Sequence, residues 1–259
     1  MHSPLPNLSI VNRRLALLVP WLAAILAVPA LASAQTPPPP PPGWIGSASA
    51  GLALTQGNSD TSTVNLGYEV KRDNGSKILL GSTGLFIRGE AEGELTTNKL
   101  AFDGRVDRKL SDRTTLFGQA LYLRDSFKEI DYLISPTVGI SRLLVKTERT
   151  EFGVDGGVGA VWEKNTGLDT DLDGALVAGQ KLAHKLSATT LLTEKVAALW
   201  KMDDFDDALY TFGIGLAASI TSATQLKVEL LDSFKNKPPS ASVKQNDVAV
   251  LVSFVYKID

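Results

Sequence analysis

The side chains that could do chemistry in this chain are few, and their types narrow the choice quickly. There is no cysteine, and beyond residue 34 the only histidine is His184. Thiolate nucleophiles, thiolate metal sites and disulfides are therefore excluded. His184 stands beside the turn Lys185-Leu186-Ser187; paired with a hydroxyl it would be the general base of a rim hydrolase, a lipase or protease. A second pattern, Asp169-Thr170-Asp171-Leu172-Asp173-Gly174, matches the opening of a calcium loop. The twelfth position of that loop is Gln180, where the site needs a bidentate glutamate, and the segment runs on as a strand. An EF-hand is not expected. Alternation still puts Asp169, Asp171 and Asp173 on one face, the weak candidates for a divalent-ion contact.

These residues must be held by repeated short elements. From Trp44 to Tyr256 the chain repeats runs of about ten residues that alternate apolar and polar, each closed by a polar turn. In 152–162, Phe152, Val154, Val158, Ala160 and Trp162 share one face, while Glu151, Asp155 and Glu163 share the other. Turn signals divide the region into about twelve strands: 44–56, 61–73, 77–90, 94–109, 114–125, 130–145, 149–163, 171–184, 188–202, 207–220, 224–236 and 245–258. Tight connections such as Asp73-Asn74-Gly75-Ser76 and Leu110-Ser111-Asp112-Arg113 alternate with connections that are mostly longer and more polar.

An even number of half-wet strands behind an export signal predicts an all-β, closed, up-and-down antiparallel transmembrane barrel in the outer membrane of a Gram-negative bacterium. A soluble β-sandwich also alternates and is the runner-up fold. The chain is 44% hydrophobic and 21% charged, which suits a barrel whose lipid-facing residues are diluted one for one. Residues 1–34 read as a signal peptide, with Arg13 and Arg14 before an apolar stretch and the small-residue site Ala32-Ser33-Ala34. Residues 35–43, with Pro37 to Pro42, read as a stiff periplasmic linker, and 44–259 as the barrel. Trp162, Trp200 and Tyr210 flank the longer loops, with Trp44, Tyr68 and Tyr256 toward the other rim, as two aromatic girdles would.

Some strands have unambiguous faces. In the fourth, Leu100, Phe102 and Val106 oppose Lys99, Asp103, Arg105 and Asp107; in the eleventh, Leu226, Val228 and Leu230 oppose Gln225, Lys227 and Glu229. Lys99, Asp103, Arg105, Asp107, Lys227 and Glu229 are thus candidates to line a lumen, either as charged rings around a narrow aqueous path or as pairs that close it. The third and ninth strands carry apolar residues on both faces, from a bulge or from a packed interior. No long loop is available to fold inward as a plug.

The longer loops are acidic, above all in Asp203, Asp204, Asp206 and Asp207, and the tight turns are basic. Solvated strand ends would explain this, as would a mouth that concentrates cations or bridges lipopolysaccharide through divalent ions. The formal net charge of -2 gives no reason to expect nucleic acid. Expected partners are outer-membrane lipid and lipopolysaccharide, small ions or solutes, and the barrel-assembly machinery during insertion; no cofactor is expected.

The segment Gly57-Asn58-Ser59-Asp60-Thr61-Ser62-Thr63-Val64-Asn65-Leu66, with the spacing of the later strands and the aromatic-bearing last one, resembles the salt-induced outer-membrane protein family, a barrel family of unknown function. The resemblance spans about residues 44–259. It implies an outer-membrane barrel linked to salt or osmotic stress and supplies no catalytic residue. The chain departs from outer-membrane habit in ending Phe254-Val255-Tyr256-Lys257-Ile258-Asp259, without a terminal aromatic. The function expected from the sequence is a non-enzymatic narrow pore or structural envelope protein, with a surface ligand- or cation-binding barrel as the alternative.

Overall fold

A computed structural model describes residues 43–55, 61–73 and 75–258. The signal peptide, the proline linker and Gly57 to Asp60 of the resemblance motif lie outside the described residues. Twelve strands form the fold: β1 (Gly43–Thr55), β2 (Thr61–Asp73), β3 (Ile78–Ala91), β4 (Glu94–Lys109), β5 (Thr114–Asp125), β6 (Ile130–Lys146), β7 (Thr150–Asn165), β8 (Thr170–Lys185), β9 (Thr190–Lys201), β10 (Ala208–Ser219), β11 (Thr224–Lys235) and β12 (Asn246–Ile258). Each pairs antiparallel with its chain neighbours, and β1 pairs with β12, so the sheet is a closed barrel. Closure leaves no edge strand and removes the sandwich alternative.

Period-two alternation decides what faces where. On β12, Val248, Val250, Val252, Phe254 and Tyr256 point outward and are 47–66% exposed, while Leu251, Ser253 and Val255 between them are buried inside. The same holds around the wall, with Leu52, Val64, Leu66, Phe102, Val138, Ile140, Val158, Leu172, Leu216 and Val228 all exposed on the outside. An outer face that is apolar over most of the wall, broken by the hydrogen-bonded pair Gln180 and Glu194 and by Asp232, is stable against lipid and not against water. Tyr68, Phe102 and Tyr122 form an outer aromatic ladder with centroids 6.3–6.4 Å apart. Tyr68 lies over Gly84, where a Cβ would overlap the ring, and its hydroxyl is 3.0 Å from Ser82 Oγ. Trp200 donates to Tyr210 Oη at 2.9 Å, and Tyr210 packs on Phe234 close to the opposite end from the termini.

The end at which β1 starts and β12 finishes is called here the terminal end, and the other the loop end. Connections at the terminal end are tight, as expected. Those at the loop end are less uniform than the sequence suggests: 236–245 is the longest, but β3 and β4 are joined by Glu92-Gly93 alone. Both residues have positive φ, 52° and 79°, the geometry of a type I′ hairpin turn.

The ambiguous third and ninth strands are resolved by a packed interior. On β3, Ile87 points inward and is 2% exposed; on β9, Leu199 also points inward and is buried. With Leu123, Ile130, Leu133, Val161, Ala175 and Leu209 it forms an apolar cluster that fills the lumen in its loop-end half. Inside and outside are both apolar there, which erases the alternation.

Candidate functional site

The lumen is built in two tiers. Above the apolar cluster, at the loop end, lies a buried ionic network. Glu163 is the last inward residue but one of β7's charged end and is 1% exposed. Its two carboxylate oxygens meet Lys235 Nζ at 2.6 Å and Lys201 Nζ at 3.0 Å. Lys201 also reaches Asp171 at 2.8 Å and Asp207 at 2.9 Å, and Lys235 reaches Asp207 at 3.3 Å. Lys235 stands on β11 and Glu163 on β7, four strands round the wall, so the pair spans the bore.

A second brace crosses the mouth. The short β5–β6 connection makes one 3-10 turn, Ser126–Lys128, whose first amides are capped by Asp125 Oδ1, accepting from Phe127 N at 3.2 Å and Lys128 N at 3.4 Å. Asp125 is itself held by Lys99 at 3.5 Å. The turn drives Lys128 inward until it is fully buried, where its ammonium meets Asp247 at 2.9 Å and donates to the Gln245 carbonyl at 3.1 Å. Ser240 Oγ donates to Glu129 Oε1 at 3.2 Å. These partners belong to β12 and the loop before it, on the far side of a twelve-strand ring. No long loop was expected to fold inward as a plug; it is a four-residue connection with one long cation that reaches across the mouth.

The terminal-end tier is charged, with Phe117, Ala217 and Val255 buried among its polar side chains. Arg105 on β4 points inward and ties four strands together. It donates to Asp107 Oδ2 at 3.0 Å, Gln119 Oε1 at 3.0 Å and Ser141 Oγ at 2.5 Å, lies 3.8 Å from Asp155, and covers the Phe117 ring at 3.9 Å. Gln119 in turn donates to Asp103 at 2.5 Å. Lys227 pairs with Glu229 at 2.8 Å, and Lys71 with Glu69 at 2.6 Å. Of the six lumen candidates, Lys99 thus supports the mouth brace. Asp103, Arg105 and Asp107 form one cluster, and Lys227 and Glu229 form a separate pair.

The acidic loop is less free than its composition suggests. Asp207 is taken up by Lys201 and Lys235. Asp204 is paired with Lys237; this hydrogen bond holds the Asp204 carboxyl below the usual carboxylate range and raises the Lys237 ammonium above the ordinary lysine value. Asp206 turns its backbone amide to Asp204 Oδ1 at 3.1 Å. Asp203 is held above the usual range by its hydrogen bond with Asp173, then by desolvation and the charges of Asp173 and Asp171. The lysines that neutralise the loop come from strand ends, so local sequence does not display them as its counter-charges.

Of the calcium-like motif, Asp171 is committed to Lys201 and Asp173 to Asp203, while Asp169 lies in the turn before β8. Among the described residues no three acidic or histidine side chains converge as metal ligands would. His184 Nδ1 lies 2.7 Å from Thr150 Oγ1, its partner across β7 and β8, and among the described residues no carboxylate orients the ring.

The residues that sequence reasoning passed over are Lys128, Glu163, Lys201 and Lys235 at the mouth and Lys181 and Lys195 lower down. Each is a long charged side chain at an inward strand position or, for Lys128, in the turn between β5 and β6; only the register between distant strands shows which of them meet.

Fold and lumen together define a closed twelve-stranded membrane barrel with an apolar outer wall, a filled loop-end half and a charged terminal-end chamber. Residues 48–258 match the family described as "Protein of unknown function, DUF481", and the chain belongs to that family. No curated protein matches the chain in sequence. Among solved structures it is similar to an outer-membrane channel from Pseudomonas putida F1, at 12% identity over 88% of this chain and 100% of that one, TM-score 0.49. It is also similar to the KdgM porin, at 8% identity over 84% and 100%, TM-score 0.47. The translocator domain of the autotransporter NalP from Neisseria meningitidis gives 14% identity over 83% and 88%, TM-score 0.46.

Proposed function

We propose that this protein is an outer-membrane barrel that acts as a narrow pore for small ions or solutes, latched shut at its extracellular mouth. The supporting observation is Lys128: a fully buried ammonium reaching from the β5–β6 turn to Asp247 and the Gln245 carbonyl across the bore. Lys128 and the Ser240–Glu129 hydrogen bond hold the turn to the far wall, and releasing the cation leaves only that one hydrogen bond to keep the connection at the mouth. The terminal end, with the tight turns and both ends of the barrel, faces the periplasm in this reading, and the leader over 1–34 directs export. Lipid and lipopolysaccharide surround the wall, and the assembly machinery inserts it. The link to salt stress is carried by the family resemblance alone. The apolar cluster below the latch supports a second reading, a structural envelope protein that never conducts.

Planar bilayers separate the two. Wild-type barrels should give rare, brief conductance steps, and Lys128→Ala combined with Asp247→Asn should raise open time at least tenfold. Frequent full-size steps from the wild type would remove the latch from the account. Silence from both proteins would leave only the structural reading.

A further inference from the structure

Lys181 on β8 and Lys195 on β9 are directly opposed in register and both point into the terminal-end chamber. Directly opposed positions put Cβ atoms about 5 Å apart, and like charges there are unfavourable. A barrel would ordinarily answer this with an acid, and elsewhere it does. Lys71, Lys99, Arg105, Lys109, Lys128, Lys201, Lys227 and Lys235 all have a carboxylate in ion-pair contact. Among the described residues, Lys181 and Lys195 form no ion pair. The acids nearest them are turned to other partners: Glu69 pairs with Lys71, Asp155 lies 3.8 Å from Arg105, and Asp103 accepts from Gln119 Nε2.

The surrounding wall is cut back as well. Along the same row of the sheet, Lys181 is flanked by Gly153 on β7 and Lys195 by Gly213 on β10. The row Gly153, Lys181, Lys195, Gly213 therefore sets two ammonium groups side by side between glycines, over which only the apolar ends of Leu143 and Leu231 reach. The rows above and below add Gly179, Ala183, Thr193 and Ala197, all small. Both lysines stay exposed to the chamber, so they are hydrated and reachable from the terminal end. Such an arrangement puts two ammonium groups on one stretch of wall with no carboxylate in ion-pair contact with either among the described residues.

We propose that Lys181 and Lys195 form a binding site for a small oxyanion, a phosphate or the carboxylate of a small organic acid, which bridges the two ammonium groups. Charge-assisted hydrogen bonds from two lysines would hold it, and its negative charge would relieve their mutual repulsion. This names the class of solute for the proposed pore and rests on that reading only for the direction of access.

The test is equilibrium binding to the full-length barrel folded in detergent, with inorganic phosphate and succinate as separate probes, read by calorimetry and by 31P line broadening. The folded state of each variant is checked by heat-modifiable migration. Saturable binding of either probe should weaken at least tenfold in Lys181→Gln with Lys195→Gln and persist within threefold in Lys181→Arg with Lys195→Arg. The probe bound more tightly identifies the oxyanion class. Absence of saturable binding of both probes to the wild type, or binding unchanged in the glutamine variant, would overturn the site. Neither result depends on conductance, so failure here leaves the latch reading standing, and silence in bilayers leaves the site standing.

Discussion

Glu163→Ala is expected to destabilise the folded barrel by about 3 kcal/mol, the lower end of the range for breaking a buried ion pair. The carboxylate is 1% exposed and answers two buried ammonium groups, Lys201 and Lys235, at 3.0 and 2.6 Å. Removing it leaves both cations in a nearly dry interior, directly above the apolar cluster. The loss is held to the lower end because Asp207 still contacts both lysines and Asp171 still contacts Lys201. Urea titration in detergent or lipid, followed by tryptophan fluorescence, measures it; Trp162 and Trp200 are chain neighbours of Glu163 and Lys201. A change under 1 kcal/mol would mean that the network contributes little and that the mouth is hydrated.

Gly51→Val should prevent barrel closure in most molecules. Gly51 faces inward on β1 opposite Asn65, a residue 5% exposed. A Cβ at this position would overlap the Val252 carbonyl oxygen of β12 and come within 2.5 Å of Asn65 Nδ2. The obstacle is backbone, so no rotamer change relieves it. The site is also the weakest part of the wall: β1 and β12 are in register only from Gly46 with Ile258 to Ala50 with Phe254. Pushing the strands apart here would free two edges whose unpaired amides and carbonyls invite aggregation. After refolding, heat-modifiable migration should be lost for most of the Gly51→Val protein and for a smaller share of Gly51→Ala. A fully compact Gly51→Val species would show that the seam tolerates a side chain.

The barrel was largely legible because period two is written directly into its strands. Gln225 to Leu230 alternates without exception, and the turn signals at Asp73-Asn74-Gly75 and Leu110-Ser111-Asp112 give the tight ends. The faces of β4 and β11 follow from the same rule. Legibility fails where the lumen is filled. At Ile87 and Leu199 the inside is as apolar as the outside, so the two faces carry one composition and periodicity contains no information about direction. Loop length misleads for a different reason: Glu92-Gly93 closes a hairpin with two residues because both accept positive φ, although it lies at the end expected to have longer loops.

The lumen was legible only in its residue types. Lys99, Asp103, Arg105, Asp107, Lys227 and Glu229 could be picked out as one face of clean strands. Their pairing could not, because it depends on register across several strands: Arg105 reaches Ser141 and Asp155 on β6 and β7. The latch is further from sequence still. Ser126-Phe127-Lys128-Glu129 resembles any polar connection, and the link from Lys128 to Asp247 joins positions more than a hundred residues apart across the ring.

The central claim is a membrane barrel shut at its loop end and open at its terminal end. With no cysteine in the chain, single cysteines can be placed and labelled in intact cells with a bulky, membrane-impermeant maleimide. Phe205→Cys, at an exposed site on the β9–β10 loop, should react at once. Thr193→Cys, in the row beside Lys195 inside the chamber, should stay unlabelled until the outer membrane is permeabilised and then react at least tenfold faster. Equal labelling of both positions in intact cells would contradict the account.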